Sequence, residues 1–185
     1  MANRWHLGKL LNVGCAHGPD FLPFKDNFDL WGVDFSPQML KLAHKYAAKF
    51  NLKVKLTLAD ATSLPYGDNS FDCAIAVAVY HNIPGEEQRR KALQELYRVL
   101  KPDGEAFITV WNKCQPRFWL KRKEVKVPWK SRTQTHYRYY YLYSYMELSA
   151  LLARTNFEIV STFPEKSYRF PLKFFSRNIC ALVKK

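Results

Sequence analysis

No apolar run in this chain approaches the length needed to span a bilayer. The N-terminus also lacks the charged-then-apolar pattern of a secretory signal. The four cysteines (Cys15, Cys73, Cys114, Cys180) are scattered, three of them in apolar, strand-like contexts, and no pair has metal-ligand spacing. These absences describe a cytoplasmic protein with buried, reduced thiols, no membrane anchor and no metal site. Acidic residues are scarce in one region only. Residues 113–185 hold 4 Asp/Glu against 16 Lys/Arg, whereas residues 1–112 hold 12 against 13. The net charge of +13 therefore sits almost wholly in the C-terminal part. Segregation of that kind answers to nucleic acid, whose phosphates release counterions to clustered Lys/Arg. An anionic membrane or an acidic protein is the rival, and the lack of a basic amphipathic helix weighs against the membrane.

With 185 residues, 48% of them apolar, the chain can bury one good core. A single α/β domain over residues 1–185 is the expectation. Strand-like runs occur at 10–15, 29–33, 53–58, 71–79, 105–111, 156–163 and 177–183. Helical periodicity marks 37–50, opened by the capping pair Ser36-Pro37, then 86–100, stopped by Lys101-Pro102-Asp103-Gly104, and about 144–155. A turn of helix is expected near Pro19–Pro23, and an irregular loop at 59–70. Alternation of strand and helix predicts a mainly parallel sheet with right-handed crossovers. After Trp111 the pattern breaks, and a basic, aromatic-rich insertion at about 112–136 is expected to be structureless.

The run Leu10-Leu11-Asn12-Val13-Gly14-Cys15-Ala16-His17-Gly18 reads as a buried strand that breaks into a small-residue turn. Asp34 ends the next strand, twenty residues beyond Gly14. That spacing sets a carboxylate beside the hydroxyls of a bound ribose at the carboxyl edge of a parallel sheet. The dinucleotide fingerprint is missing, because Ala16 and Pro19 stand where it needs glycine. A nucleoside ligand without a pyrophosphate fits better, and S-adenosylmethionine is the common one. Asp60, at the end of the third strand, is placed to accept from an adenine amine, or else to form an Asx turn. Phe35 and Met39 fit either the adenine face or the core. His81 ends the buried run Phe71–Val79, where polar groups face the ligand crevice of an open sheet, and His17 lies in the turn itself. Six tyrosines fall within residues 137–145, with Arg138 among them as a planar fork for a carboxylate or phosphate. Together with Arg117-Phe118-Trp119-Leu120-Lys121-Arg122-Lys123, they suit stacking on unpaired bases.

Val13–Gly18, Asp34, Asp60 and Leu64-Pro65-Tyr66-Gly67-Asp68-Asn69-Ser70-Phe71-Asp72 resemble the class I S-adenosylmethionine-dependent methyltransferases over most of residues 9–112. The resemblance implies a Rossmann-like, mainly parallel seven-stranded sheet with helices on both faces and an antiparallel last strand. It also implies a cofactor site at Gly14, Cys15, Ala16, Gly18, Asp34, Phe35, Asp60, Ala61 and Val77. Ala76–His81 with Arg89-Arg90, Val127-Pro128-Trp129 and Arg138-Tyr139-Tyr140-Tyr141-Leu142-Tyr143 are similar to the tRNA wobble-uridine methyltransferases that esterify 5-carboxymethyluridine. That group includes the methyltransferase domain of AlkB-homologue tRNA enzymes. The chain departs from the family in having Ala16 for a glycine, and Asn82 and Tyr141 where histidines are common. The segment between Trp129 and the tyrosines is short, and the family's N-terminal helix is largely missing.

On that resemblance the partners are a tRNA anticodon loop and a small zinc-binding activator protein that adds a strand along 53–58, with the zinc held by the activator. Lys53 and Lys55 could equally serve to block aggregation at an edge. Methyl transfer to a carboxylate needs no general base, because the acceptor is ionised at neutral pH. His81, Arg138 and Tyr140 are the expected acceptor-site residues: Arg138 holds the non-attacking oxygen, while His81 and Tyr140 orient the uridine or close the pocket. Two other functions fit the same motifs: methyl transfer to a small molecule or lipid precursor, and RNA binding without catalysis.

Overall fold

A computed structural model of the chain describes residues 1, 3–130, 135–165 and 175–185. The short segment after Trp129 lies in part outside them. Among the described residues, β1 (Gly8–Val13), β2 (Phe28–Asp34), β3 (Val54–Leu58), β4 (Phe71–Val77), β5 (Leu100–Trp111), β8 (Glu158–Pro164) and β9 (Asn178–Lys184) form one sheet in the order β3-β2-β1-β4-β5-β9-β8. Pairings from β3 through β5 are parallel, and β9 runs antiparallel to both its neighbours. The strand order reverses between β1 and β4, which opens a crevice at their carboxyl ends. The expected seven-stranded sheet with an antiparallel last strand is present.

Alternation along the strands sorts side chains to two faces. Leu11, Val13, Ile108, Val110, Ile179 and Ala181 join Leu93 and Leu96 of helix α2 (Glu86–Val99) and Leu148 and Leu152 of helix α3 (Tyr145–Ala153). On the other face Leu10, Leu30, Cys73 and Leu182 pack with Phe21 and Phe24 of a 3₁₀ turn (Pro19–Phe24), and with Leu40 and Ala47 of helix α1 (Pro37–Phe50). Helices thus cover both faces. Helix α1 starts where expected, with the Ser36 hydroxyl accepting from the Met39 amide and Pro37 in the first turn. Helix α3 opens with a reciprocal capping box between Ser144 and Glu147.

The described part of the insertion is not structureless. After a 3₁₀ turn at Pro116–Phe118, β6 (Glu124–Lys130) and β7 (Thr135–Tyr141) form an antiparallel hairpin with Val127 opposite Arg138. Pro128 fits because a two-stranded ribbon has only edges, where proline is tolerated. Tyr140 stacks on Trp111 at 4.1 Å and 6°, and on His81 at 5.3 Å, which docks the hairpin over the ends of β4 and β5.

The loop after β3 is tied to α2 by ions. Glu95 accepts the Leu64 amide at 2.7 Å and pairs with Arg98, which also donates to the Leu64 and Tyr66 carbonyls and to Asp68. Hydrogen bonding from the Arg98 guanidinium holds the Glu95 carboxyl below its usual range, against an opposing effect of burial. A depressed carboxyl pKa stabilises the fold above the unfolded value near ~4.3, and that stability is lost as pH falls through the folded value. Replacing Glu95 with Gln should therefore lower stability by about 1 kcal/mol at pH 7 and flatten the decline between pH 5 and 3. Urea denaturation across that range checks both. A wild-type slope in the variant would show that Glu95 is not the group responsible.

Candidate active site: a polarised cleft at the carboxyl edge

A cleft of about 760 Å³ lies where the strand order reverses. Its floor is the turn after β1, with Gly14 and Ala16; its sides are Asp34, Phe35 and Met39 after β2, Ala59–Thr62 after β3, and Val77–Val79 after β4. Asn82, Ile83, Pro84 and Gln88 close one wall, and Arg138 and Tyr139 of the hairpin complete it.

The turn after β1 has a demanding backbone. Gly14 has φ +65°, and a Cβ there would lie 2.6 Å from a Val79 methyl. Only glycine meets both conditions. Ala16 also takes a left-handed conformation, φ 47°, as does Ala78 across the cleft, φ 60°. An alanine tolerates this at a cost of about 1–2 kcal/mol when its surroundings hold it. Ala16 is held by its amide, which donates to Asp34 Oδ2 at 2.9 Å. Ala78 is pinned on both sides, donating to Thr109 and accepting from the Asn82 carboxamide.

Asp34 is 7% exposed, and its two oxygens each accept one backbone amide, Ala16 and Ser36, both at 2.9 Å. The carboxylate thereby locks the β1 turn to the start of α1, and each oxygen keeps a lone pair for a further donor. Asp60 forms the Asx turn that sequence alone left open, with Oδ1 accepting the Thr62 amide at 2.8 Å and its hydroxyl at 2.7 Å. Its Oδ2 and the neighbouring Ala61 amide have no partner among the described residues. An open acceptor and an open donor stand side by side there.

Of the expected cofactor residues, Gly14, Ala16, Asp34, Phe35, Asp60, Ala61 and Val77 line the cleft. Cys15 and Gly18 do not. Cys15 is buried, within 3.0 Å of where a Gly32 Cβ would stand, and burial pushes its thiol up to about 12. Gly18 packs toward Phe21 and Ala43, with φ 92°. Of the expected acceptor-site residues, Arg138 lines the cleft, whereas His81 and Tyr140 do not. His81 is 1% exposed, and its Nδ1 accepts the Trp111 amide at 3.1 Å. Burial pushes its pKa down to about 3, so the ring is neutral with its proton on Nε2. His81 and Tyr140 are layers of the stack that supports the hairpin. His17 is exposed, its ring against Tyr46. Asn82, Gln88 and Tyr139 were missed. Tyr139 was foreseeable from its place beside Arg138, but Asn82 and Gln88 enter only through the 3₁₀ turn and the helix start.

A parallel sheet of this order, with carboxylates beyond β2 and β3 and a tight glycine turn after β1, is the fold of S-adenosylmethionine-dependent methyltransferases. A solved S-adenosylmethionine-dependent methyltransferase from Methanosarcina mazei superposes with a TM-score of 0.81 over 98% of this chain and 93% of its own, at 18% identity. The chain belongs to the methyltransferase-domain family, whose model matches residues 11–108. A tRNA (carboxymethyluridine(34)-5-O)-methyltransferase of Arabidopsis thaliana is 35% identical over 102 residues, 55% of this chain and 24% of that protein. A demethylmenaquinone methyltransferase of Lactobacillus johnsonii is 37% identical over 102 residues, 54% of this chain and 38% of that protein. The chain spans about a quarter of the length of the first tRNA methyltransferases it matches, 24–25%.

Replacing Asp34 with Asn tests the lock. A carboxamide offers one acceptor and turns an NH₂ donor toward the other amide. The variant should lose about 1–3 kcal/mol of stability in urea denaturation. Unchanged stability would mean that the two amide bonds do not hold the turn.

Proposed function

We propose that the chain is a cytoplasmic S-adenosylmethionine-dependent tRNA methyltransferase that esterifies the carboxylate of 5-carboxymethyluridine at the wobble position, forming 5-methoxycarbonylmethyluridine. The observation that carries this reading is the meeting, in one cleft, of carboxylates from β2 and β3 with Arg138 from the basic hairpin. A nucleoside cofactor fits the first end. The remaining lone pairs of Asp34 suit ribose hydroxyls, and the open Oδ2 of Asp60 beside the open Ala61 amide matches the donor–acceptor edge of adenine. When bound, S-adenosylmethionine supplies a methyl group activated by its sulfonium.

The remaining work is positional. The acceptor carboxylate is ionised at neutral pH, since unperturbed carboxyl pKa values lie near ~4. Arg138 holds its non-attacking oxygen, leaving the other free to attack, and Tyr139 and Ile83 wall off water. Alignment of this kind can supply roughly 7–11 kcal/mol. His81 and Tyr140 contribute by holding the hairpin in place. The exposed part of the hairpin, with Lys126, His136 and Tyr137, gives the anticodon loop cations and a stacking face.

A tRNA and a quinone methyltransferase are similar to this chain to about the same degree, 35% and 37% identical over 102 residues each. A small-molecule acceptor is therefore the second reading, and the hairpin favours RNA over it. Two further features of the chain bear on partners and place. Among the described residues the edge strand β3 pairs with β2 alone, which leaves its outer backbone for strand addition by a small zinc-binding activator protein. Among the described residues no helix is long and apolar enough to cross a membrane.

Incubation with labelled S-adenosylmethionine and tRNA bearing 5-carboxymethyluridine should give label that alkali releases as an ester. Addition of the activator should raise the yield. No incorporation, with cofactor binding intact, would discard the substrate and keep the fold. Arg138→Ala should lower tRNA methylation at least about tenfold, ~1.4 kcal/mol, while cofactor binding is unchanged. Equal loss of both would remove Arg138 from the acceptor end.

A further inference from the structure

The acceptor wall hides a second cation. Arg89 on α2 is 3% exposed, unlike its neighbour Arg90, which lies at the surface and pairs with Glu87 at 2.6 Å. Its Nη1 donates to the Ile83 carbonyl at 3.1 Å and to the Tyr139 hydroxyl at 3.3 Å. The guanidinium carbon sits 3.9 Å from the centre of the Tyr141 ring. Among the described residues no carboxylate lies within ion-pair distance of it. Glu124 bonds the Tyr139 hydroxyl, and Glu147 pairs with Lys123 and accepts the Tyr141 hydroxyl, so each reaches Arg89 only through a tyrosine. Nε and Nη2 carry donors with no partner among the described residues.

A guanidinium taken from water without an anion is unfavourable, and a ring face offsets only part of that. Buried arginines are ordinarily paired. Ile83 and Tyr139 both line the cleft, so this uncompensated charge stands directly behind the wall that carries Arg138. Solvent screens it poorly there, and an anion entering the cleft is the counter-charge that no described residue provides within ion-pair distance.

We infer that Arg89 is a specificity-determining residue that selects, from behind the Ile83–Tyr139 wall, an acceptor bearing an anionic group over a neutral acceptor of the same shape. This rests on the proposed function for the identity of that anion, the carboxylate of the modified uridine. The same contacts make Arg89 a positioning residue for Tyr139, so the test must separate charge from shape.

Binding of 5-carboxymethyluridine, its neutral carboxamide and uridine 5′-monophosphate is measured with the wild-type chain, Arg89→Lys and Arg89→Met, alongside thermal denaturation. The wild type should prefer the carboxylate to the carboxamide by about tenfold, the scale of one poorly screened charge. Arg89→Met should abolish that preference, weakening carboxylate binding about tenfold more than carboxamide binding, while Arg89→Lys should retain most of it. Loss confined to the monophosphate would uphold the selection with a phosphate as the anion. Equal weakening of all three ligands, or an unchanged preference in Arg89→Met, would overturn it, since a purely structural tie does not distinguish charge. If the wild type binds none of the three, the tRNA reading falls, and acetate titration followed at the Arg89 Nε–H resonance decides the inference by itself. A saturable shift upholds an anion site at Arg89, and no shift overturns it. The same titration needs no variant, so it serves if Arg89→Met fails to fold.

Discussion

The arrangement of this molecule depends on how a two-stranded hairpin is held against a parallel sheet. A hairpin alone is marginal in water, because it buries little and leaves both edges open. Here its root is clamped at two places. Tyr140 lies flat on Trp111 and against the neutral ring of His81, while Tyr141 covers the buried guanidinium of Arg89. Residues of alternating position along β7 use opposite faces for these contacts, so one short strand is gripped from both sides. Arg138 and Tyr139 immediately precede the two grips on the same strand and line the cleft. Burial that keeps His81 uncharged is part of the same device, since an imidazolium would place a second cation in the stack.

Seen from the sheet, the cleft has a chemical direction. Its β2 and β3 end is built from carboxylates and open backbone groups, whereas its β4 end is capped by cations on or behind the wall. The two ends suit different ligands, a neutral-to-cationic nucleoside and an anion, and a transfer between them requires both at once. In the turns that border the cleft, Ala16 and Ala78 hold left-handed conformations, their amides donating to Asp34 and Thr109 and the Ala78 carbonyl accepting from Asn82. Strained backbone supported by its surroundings is where a fold commonly gains a preorganised site.

The fold by itself does not select an acceptor. Residues 11–108 match a family model for methyltransferase domains in general, and a tRNA and a demethylmenaquinone enzyme are about equally similar to just over half of the chain. The positive charge is concentrated beyond Trp111, where the hairpin is built. A widely shared sheet that carries an added hairpin at its carboxyl edge illustrates how one fold can serve many substrates.

By itself the sequence determined the local events. Strand alternation, the Ser36-Pro37 helix start and the glycine–acid spacing are short-range patterns with direct physical causes, and the elements and the nucleoside end of the cleft followed from them. It misjudged positions where a single residue pointed two ways. His81 looked like a crevice residue because it ends a buried strand, yet a 3₁₀ turn at Tyr80–Asn82 carries its ring away into the stack. Cys15 and Gly18 shared the turn with Gly14 but face the other way. Tertiary structure alone decided which tyrosines support and which line the cleft. It alone showed that Arg89 and Arg90, adjacent and chemically alike, differ completely in burial and pairing. The reason is that direction, burial and counter-charge belong to the contacts between distant segments, and those exist only once the hairpin is docked on the sheet.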